Sequence, residues 1–301
     1  MNILFDKIPF QKPALTQILE TIFEEKKIHL SILELQNIHP TINGNKWFKL
    51  KYNLQQAYNE GIKTIVSVGG AYSNHLHALA HACKELGFES YGIIRADENL
   101  DNPTLVDLKA SGMKLIQVSR EDYRQKNEEW FFEKYIKPID NKLIYIPEGG
   151  SNTLALKGIA ELKQYIPQNT NYVITAVGST GTVAGLGLAF DNSQTKVIGV
   201  AALKGGSFLK NDIDKLYQQA KVTVNHQPEI ITDYHFGGFG KTKPSLFEFI
   251  NHFEDKHNIK LEQVYTAKML YGLYDLIEKN YFPQSSKIVA IHTGGLQGRN
   301  F

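Results

Sequence analysis

A lysine set just behind a glycine and an asparagine is the first feature of this chain that could do chemistry. In GNKWFKLKYN, residues 44 to 53, Lys46, Lys49 and Lys51 lie among aromatics at the start of an amphipathic run. A solvated helix face accounts for an ordinary lysine in such a run. Lys46 differs because Gly44 and Asn45 place it at a helix entry, where neighbouring groups and the helix N-terminus can lower an amine's pKa, as attack on a carbonyl carbon requires. Four further places stop an apolar run at glycines and hydroxyls: VGGAYSNH (68 to 75), PEGGSN (147 to 152), VGSTGTVAG (177 to 185) and HTGG (292 to 295). Together they suggest one polar, anionic ligand. In the third, the backbone N–H groups of Gly178, Ser179, Thr180, Gly181 and Thr182 would converge on an anion at a helix N-terminus. The loop has neither the lysine of a nucleoside-triphosphate loop nor GxGxxG spacing, so a small phosphorylated cofactor is favoured over ATP or NAD. A tight strand-to-helix turn using glycine for positive φ is the alternative reading of that segment.

The elements that must position these residues alternate between short apolar runs and amphipathic helices, the pattern of a parallel sheet joined by helical crossovers. Strands are expected at Thr64 to Val68, Ser90 to Ile94, Lys114 to Val118, Leu143 to Ile146, Asn171 to Val177, Lys196 to Val200 and Lys287 to Ile291. Helices are expected at about Ser73 to Leu86, Asn102 to Ser111, Thr153 to Tyr165 and Tyr265 to Lys279. The fold class is α/β. A smaller lobe, residues 50 to 155, would be inserted into a larger one made of residues 1 to 49 and 156 to 301, with the ligand between them.

Composition narrows the function classes. The chain has 301 residues, 42% hydrophobic and 21% charged, enough to bury a sizeable core. Thirty-three Lys and Arg against 31 Asp and Glu give a formal charge of +2, so neither nucleic acid nor a membrane surface is an expected partner. The N-terminal MNILFDKIPFQKP does not read as a signal peptide, no run approaches ~18 apolar residues, and a cytoplasmic enzyme is the expectation. The single cysteine, Cys83, reads as a packed thiol in a helix.

The blocks GNKWFKLKYN, SVGGAYSNH, PEGGSN, GSTGTVAGL, VYTAK and IHTGG occur in the order found in the D-cysteine desulfhydrase and 1-aminocyclopropane-1-carboxylate (ACC) deaminase family, which the chain resembles over nearly its whole length. That resemblance implies pyridoxal 5'-phosphate as cofactor and a two-lobed, three-layer α/β/α architecture of open twisted sheets like the tryptophan synthase β subunit (fold type II). It also implies a small amino acid as substrate and a homodimer. Lys46 then matches the lysine that binds the cofactor covalently, the loop 178 to 182 matches the phosphate cradle, and Asn74 lies against the cofactor's 3-hydroxyl. Ser73 faces the reacting carbon or carboxylate, and Tyr265 acts on the substrate or its leaving group. His75, Gly150 and Phe239 line the substrate side. Thr266 and Thr293 stand where ACC deaminases carry glutamate and leucine; hydroxyls at both places resemble D-cysteine desulfhydrases, with Thr293 expected to meet the pyridine nitrogen. A neutral partner there leaves the ring a weaker electron sink, which suits β-elimination better than opening a cyclopropane.

Two departures bear on substrate choice. The Lys-Arg-Glu-Asp run that relatives carry before the lysine is replaced by ILELQNIHPTING, and a tyrosine common before a glycine in relatives is Phe239 here. Along one helix, His77 and His81 are spaced for a metal, but no carboxylate or cysteine stands at a complementary position nearby in sequence, so no metal site is expected. His292 reads as a structural neighbour of Thr293.

Overall fold

The computed structural model describes residues 4–95 and 102–299. The chain opens with β1 (Ala14–Ile18), α1 (Thr21–Lys26), β2 (His29–Glu34) and α2 (Gly44–Asn59). It then lays down β3 (Thr64–Gly70), α3 (Asn74–Leu86), β4 (Glu89–Arg95), α4 (Pro103–Ala110), β5 (Lys114–Val118), the short α5 (Arg120–Arg124) and α6 (Glu129–Phe131), and β6 (Leu143–Ile146). After α7 (Thr153–Ala160) come β7 (Tyr172–Val177), α8 (Gly181–Phe190), β8 (Lys196–Ala201), α9 (Phe208–Ala220), β9 (Glu229–Ile231), α10 (Pro244–His257), α11 (Thr266–Glu278) and β10 (Lys287–His292).

Two sheets result. One has six strands in the order β1-β2-β10-β7-β8-β9 and the other four in the order β5-β4-β3-β6. Every pairing is parallel except β1 with β2, where Ala14 faces Glu34. The central strand β10 sets Val289 beside Ser31 on one side and Val173 on the other. Alternation along the strands feeds two cores: Val289 and Ile291 pack with Leu50, Leu156 and Leu186 of the helices on one face, while Ile288 and Ala290 pack with Phe253, Leu270 and Leu273 on the other. In the smaller sheet Ile65 and Ile94 join the first core under α3, and Val66, Val68 and Ile93 pack against Phe131 and Ile136.

Local chemistry sets the helix ends. Ser73, Asn102 and Asn152 each cap a helix by accepting a hydrogen bond from the backbone N–H three residues on, and Pro103 follows Asn102 at the first helical position. Gly87 closes α3 in the left-handed region. The helix expected to reach Tyr165 instead ends as α-helix at Ala160 and tightens into a 3₁₀ turn over Glu161–Tyr165. Pro167 explains this, since it forces Ile166 into extended backbone, with φ −108° and ψ 126°.

The chain passes between the sheets twice, through the segments that carry α2 and α7, and these helices pack on one another. At their crossing a Cβ on Gly158 would overlap the Phe48 carbonyl oxygen, so the two backbones meet with no side chain between them. No helix among the described residues is long and apolar enough to cross a membrane.

Candidate active site

The carboxyl ends of β3, β6, β7 and β10 open onto one cleft of about 1790 Å³, the expected place for a ligand in parallel sheets. Helix N-termini gather there as well. Ser73 caps α3, Thr180 precedes α8, Tyr265 precedes α11, and Lys46 is the third residue of α2. These ends present unpaired N–H groups and partial positive charge, which makes the cleft a site for an anion.

The entry of α2 is fixed by the loop after β10. Gly44 has φ +70°, and a Cβ on it would overlap the Thr293 carbonyl, which accepts from the Asn45 N–H at 3.2 Å. Asn45 donates to Thr182 Oγ1 at 2.7 Å, tying α2 to the glycine-rich loop. Lys46 donates to Asn45 Oδ1 at 3.0 Å, and burial lowers its pKa to about 8 against the opposing charge of Glu262. Roughly a tenth of such amines are uncharged at neutral pH, far more than for a solvated lysine.

Lys49, one turn further on, is fully buried, and its Nζ donates to the Gly149 carbonyl at 2.6 Å, Ser151 Oγ at 2.9 Å and Ser179 Oγ at 3.1 Å. It therefore joins the PEGGSN loop to the 178–182 loop. Burial, and then the charge of Lys46, push its pKa well below the usual lysine range. Gly181 leaves the space for it: a Cβ there would lie 2.7 Å from Lys49 Cε. The Gly181 N–H donates to Ser151 Oγ at 3.2 Å.

Tyr265 packs over Gly178, where a Cβ would overlap ring atom Cε1. Burial first, and Glu262 second, raise the tyrosine pKa, so its hydroxyl stays protonated through neutral pH. Glu262 is buried and accepts from the Val264, Tyr265 and Thr266 N–H groups at 2.7, 2.8 and 2.5 Å. Burial raises its pKa while those donors pull the other way. Phe239 is exposed at the cleft mouth, edge-on to Tyr265 with ring centroids 5.7 Å apart.

On the opposite wall Ser73 and Asn74 line the cleft, and Asn74 Oδ1 accepts from Gln297 Nε2 at 2.5 Å. His75 is buried against Gly150. Ser67 Oγ donates its one proton to the Ile146 carbonyl at 2.7 Å, so it accepts from His75 Nε2 at 2.8 Å. His75 is thereby the Nε2–H tautomer, held neutral by burial and by Lys49 and Lys46. His292 is buried, with Nε2 2.8 Å from the Lys260 carbonyl, and Nδ1 accepting the Gly294 N–H.

The structure thus brings Lys46, Ser73, Asn74, His75, Gly178, Ser179, Thr180, Thr182, Phe239, Tyr265 and Thr293 to the cleft lining. Thr266 is placed elsewhere: it is fully buried, and its Oγ1 donates to Glu262, so it serves the turn before α11 and corrects the expectation of a cofactor contact. Gly150 and Gly181 likewise sit behind the lining, where their lack of a side chain admits His75 and Lys49. A second correction concerns the histidines. The fold brings Asp107 of α4 to His77 and His81, a carboxylate that sequence proximity had not suggested. Unexpected from sequence were Lys49, Asn45 and Glu262 as site groups. An acidic residue just before a helix start is the one signal that pointed to Glu262.

The family model for pyridoxal-phosphate dependent enzymes matches residues 18–294. A Pyrococcus horikoshii protein carrying the name "Putative 1-aminocyclopropane-1-carboxylate deaminase" is 32% identical over 276 residues, 85% of this chain and 81% of its own. An Arabidopsis thaliana mitochondrial protein named as a bifunctional D-cysteine desulfhydrase/1-aminocyclopropane-1-carboxylate deaminase is 27% identical over 281 residues, 85% of this chain and 70% of its own. The crystal structure of an ACC deaminase homologue superimposes with a TM-score of 0.83 at 27% identity, over 98% of this chain and 94% of that one.

Proposed function

The chain belongs to the pyridoxal-phosphate dependent enzyme family, and on that premise we propose that it eliminates the β-substituent of a small amino acid, D-cysteine before others, which with one water gives pyruvate, ammonia and hydrogen sulfide. The residues present fit the cofactor. Lys46 offers a desolvated amine, and the N-terminus of α8 with Ser179, Thr180 and Thr182 offers N–H and hydroxyl donors for a phosphate. When bound, pyridoxal phosphate supplies a sink for the electron pair left as the α-hydrogen departs.

The chain's own groups divide the remaining work. Lys46, with its pKa lowered to about 8, takes the proton from the substrate's Cα. Tyr265, kept protonated by burial, donates at the leaving sulfur. Ser73 and the N-terminus of α3 bind the substrate carboxylate and orient the scissile bond. Phe239, at the mouth, presents an apolar edge in place of a hydroxyl.

The observation that carries the choice of reaction is Thr293, a neutral hydroxyl on the cleft wall at the end of β10. It supports elimination over opening of a cyclopropane ring. ACC deamination to 2-oxobutanoate is the second reading, favoured by the names of the archaeal and plant relatives. Incubation with D-cysteine, L-cysteine, D-serine and ACC, followed by keto-acid and sulfide assays, separates the two. Sulfide and pyruvate from D-cysteine are expected; 2-oxobutanoate from ACC without sulfide from D-cysteine refutes the proposal. Lys46→Ala should lose the visible band of lysine-bound cofactor.

A further inference from the structure

Outside the cleft lining, on the packed faces of α3 and α4, three ligand atoms converge. His81 Nε2 lies 2.8 Å from Asp107 Oδ2, His77 Nε2 lies 3.3 Å from the same oxygen, and all three atoms fall within 4.8 Å of one another. The helix spacing explains the pair: residues four apart share a face, and the two rings sit with centroids 4.7 Å apart. We propose that His77, His81 and Asp107 form a binding site for a divalent transition metal of the zinc class, with water as fourth ligand.

The geometry carries this reading. Metal–nitrogen and metal–oxygen bonds of ~2.0–2.1 Å at tetrahedral angles put ligand atoms ~3.3 Å apart; the two His–Asp edges already stand at 2.8 and 3.3 Å, and the His77–His81 edge, within 4.8 Å, closes by a turn of the side chains. The donor set of two imidazoles and one carboxylate suits zinc over calcium or magnesium, which prefer oxygen. Both rings have neighbours besides the carboxylate. The His77 ring is hydrogen-bonded to the Thr41 backbone, the kind of outer partner that orients a metal-binding imidazole, and Ser111 Oγ lies beside the His81 ring, 3.4 Å from Nδ1 and 3.3 Å from Nε2.

One carboxylate oxygen, Asp107 Oδ2, stands against both Nε2 atoms, at the place where a cation would sit. The side chains of His77 and His81 are 10% and 15% exposed against 41% for Asp107, which leaves an open side for water. The ion would clamp α3, whose first residues are Asn74 and His75, to α4.

The experiment loads the cofactor-bound protein with zinc chloride, desalts it, and measures metal by mass spectrometry and melting temperature by circular dichroism. About one zinc per chain is expected, with a higher melting temperature than the chelator-treated protein. Asp107→Asn, nearly isosteric, and His81→Gln should each bind zinc at least ~10–100-fold more weakly, the loss typical of even an outer-sphere change. Cobalt(II) should give the intense long-wavelength bands of a tetrahedral site in the wild type only. Absence of retained zinc in the wild type overturns the proposal, as does zinc binding unchanged in Asp107→Asn, which would mark an adventitious ion elsewhere.

Discussion

Replacing Lys49 by methionine tests whether this lysine, and not only its neighbour Lys46, builds the cofactor site. The change removes three hydrogen bonds, to the Gly149 carbonyl and to the hydroxyls of Ser151 and Ser179. Each such bond contributes about 0.5–1.5 kcal/mol net, and a stranded buried carbonyl costs about 1–3 kcal/mol. The two serines can turn elsewhere, and Ser151 keeps the Gly181 N–H, but the Gly149 carbonyl loses its short donor. Against this stand the apolar body of methionine and the relief of burying an amine. A net loss of about 1–3 kcal/mol follows, and at ~2–4 °C per kcal/mol for a chain of this size the melting temperature should fall by about 2–12 °C. Because the loops 147–152 and 178–182 lose their shared tie, cofactor affinity should also fall about tenfold or more, the equivalent of ~1.4 kcal/mol. Circular dichroism melting and titration of the cofactor's visible band read the two effects. A Lys49→Met protein with wild-type melting and cofactor affinity within about twofold of wild type would refute the reasoning.

Reattachment of cofactor to Lys46 in stripped protein needs the neutral amine, so its rate should rise with pH through a midpoint near the lowered pKa of about 8; a midpoint in the ordinary lysine range would contradict the burial argument. Glu262→Gln removes the charge that holds the Lys46 pKa up, so that midpoint should move to lower pH, with about 1–3 kcal/mol of stability lost at the turn before α11. Gly178→Ala should displace the Tyr265 ring and reduce turnover by about tenfold or more while the cofactor band persists, since a Cβ there collides with the ring; unchanged turnover would remove Tyr265 from the reaction. Stability of the stripped protein should rise with pH between about 8 and 10, because the unfolded chain still holds protons that the depressed Lys46 and Lys268 have released; urea midpoints across that window measure it, and a fall would reverse the sign of the linkage.

What could be read from sequence follows the strength of each local signal. Buried parallel strands such as Tyr172–Val177 and Lys287–His292 stand out because both faces are covered and turn residues bound them. Of the two N-terminal strands, β1 is a sheet edge whose residues are mostly exposed, so its apolar pattern is weak, while nothing comparable hides the largely buried β2. The amphipathic α9 and α10 went unnamed although Leu209, Ile213 and Leu216, and Leu246, Ile250 and Phe253, recur at helical spacing. At the site, Lys46 and the glycine loops were visible because chain-local turn chemistry marks them. Lys49 was not, since a lysine's burial depends on Gly149, Ser151 and Ser179 arriving from residues about a hundred or more positions away. The same limit hid Asp107 from His77 and His81, which lie one helix earlier.

The bare backbone contact at Gly158 ties the two crossings between the sheets to the reacting amine. With Phe48 and Gly158 touching directly, any side chain at position 158 would push apart the segments that carry the polypeptide out of the large sheet and back into it. Because Phe48 lies only two residues after Lys46 on α2, that displacement would be felt at the amine itself.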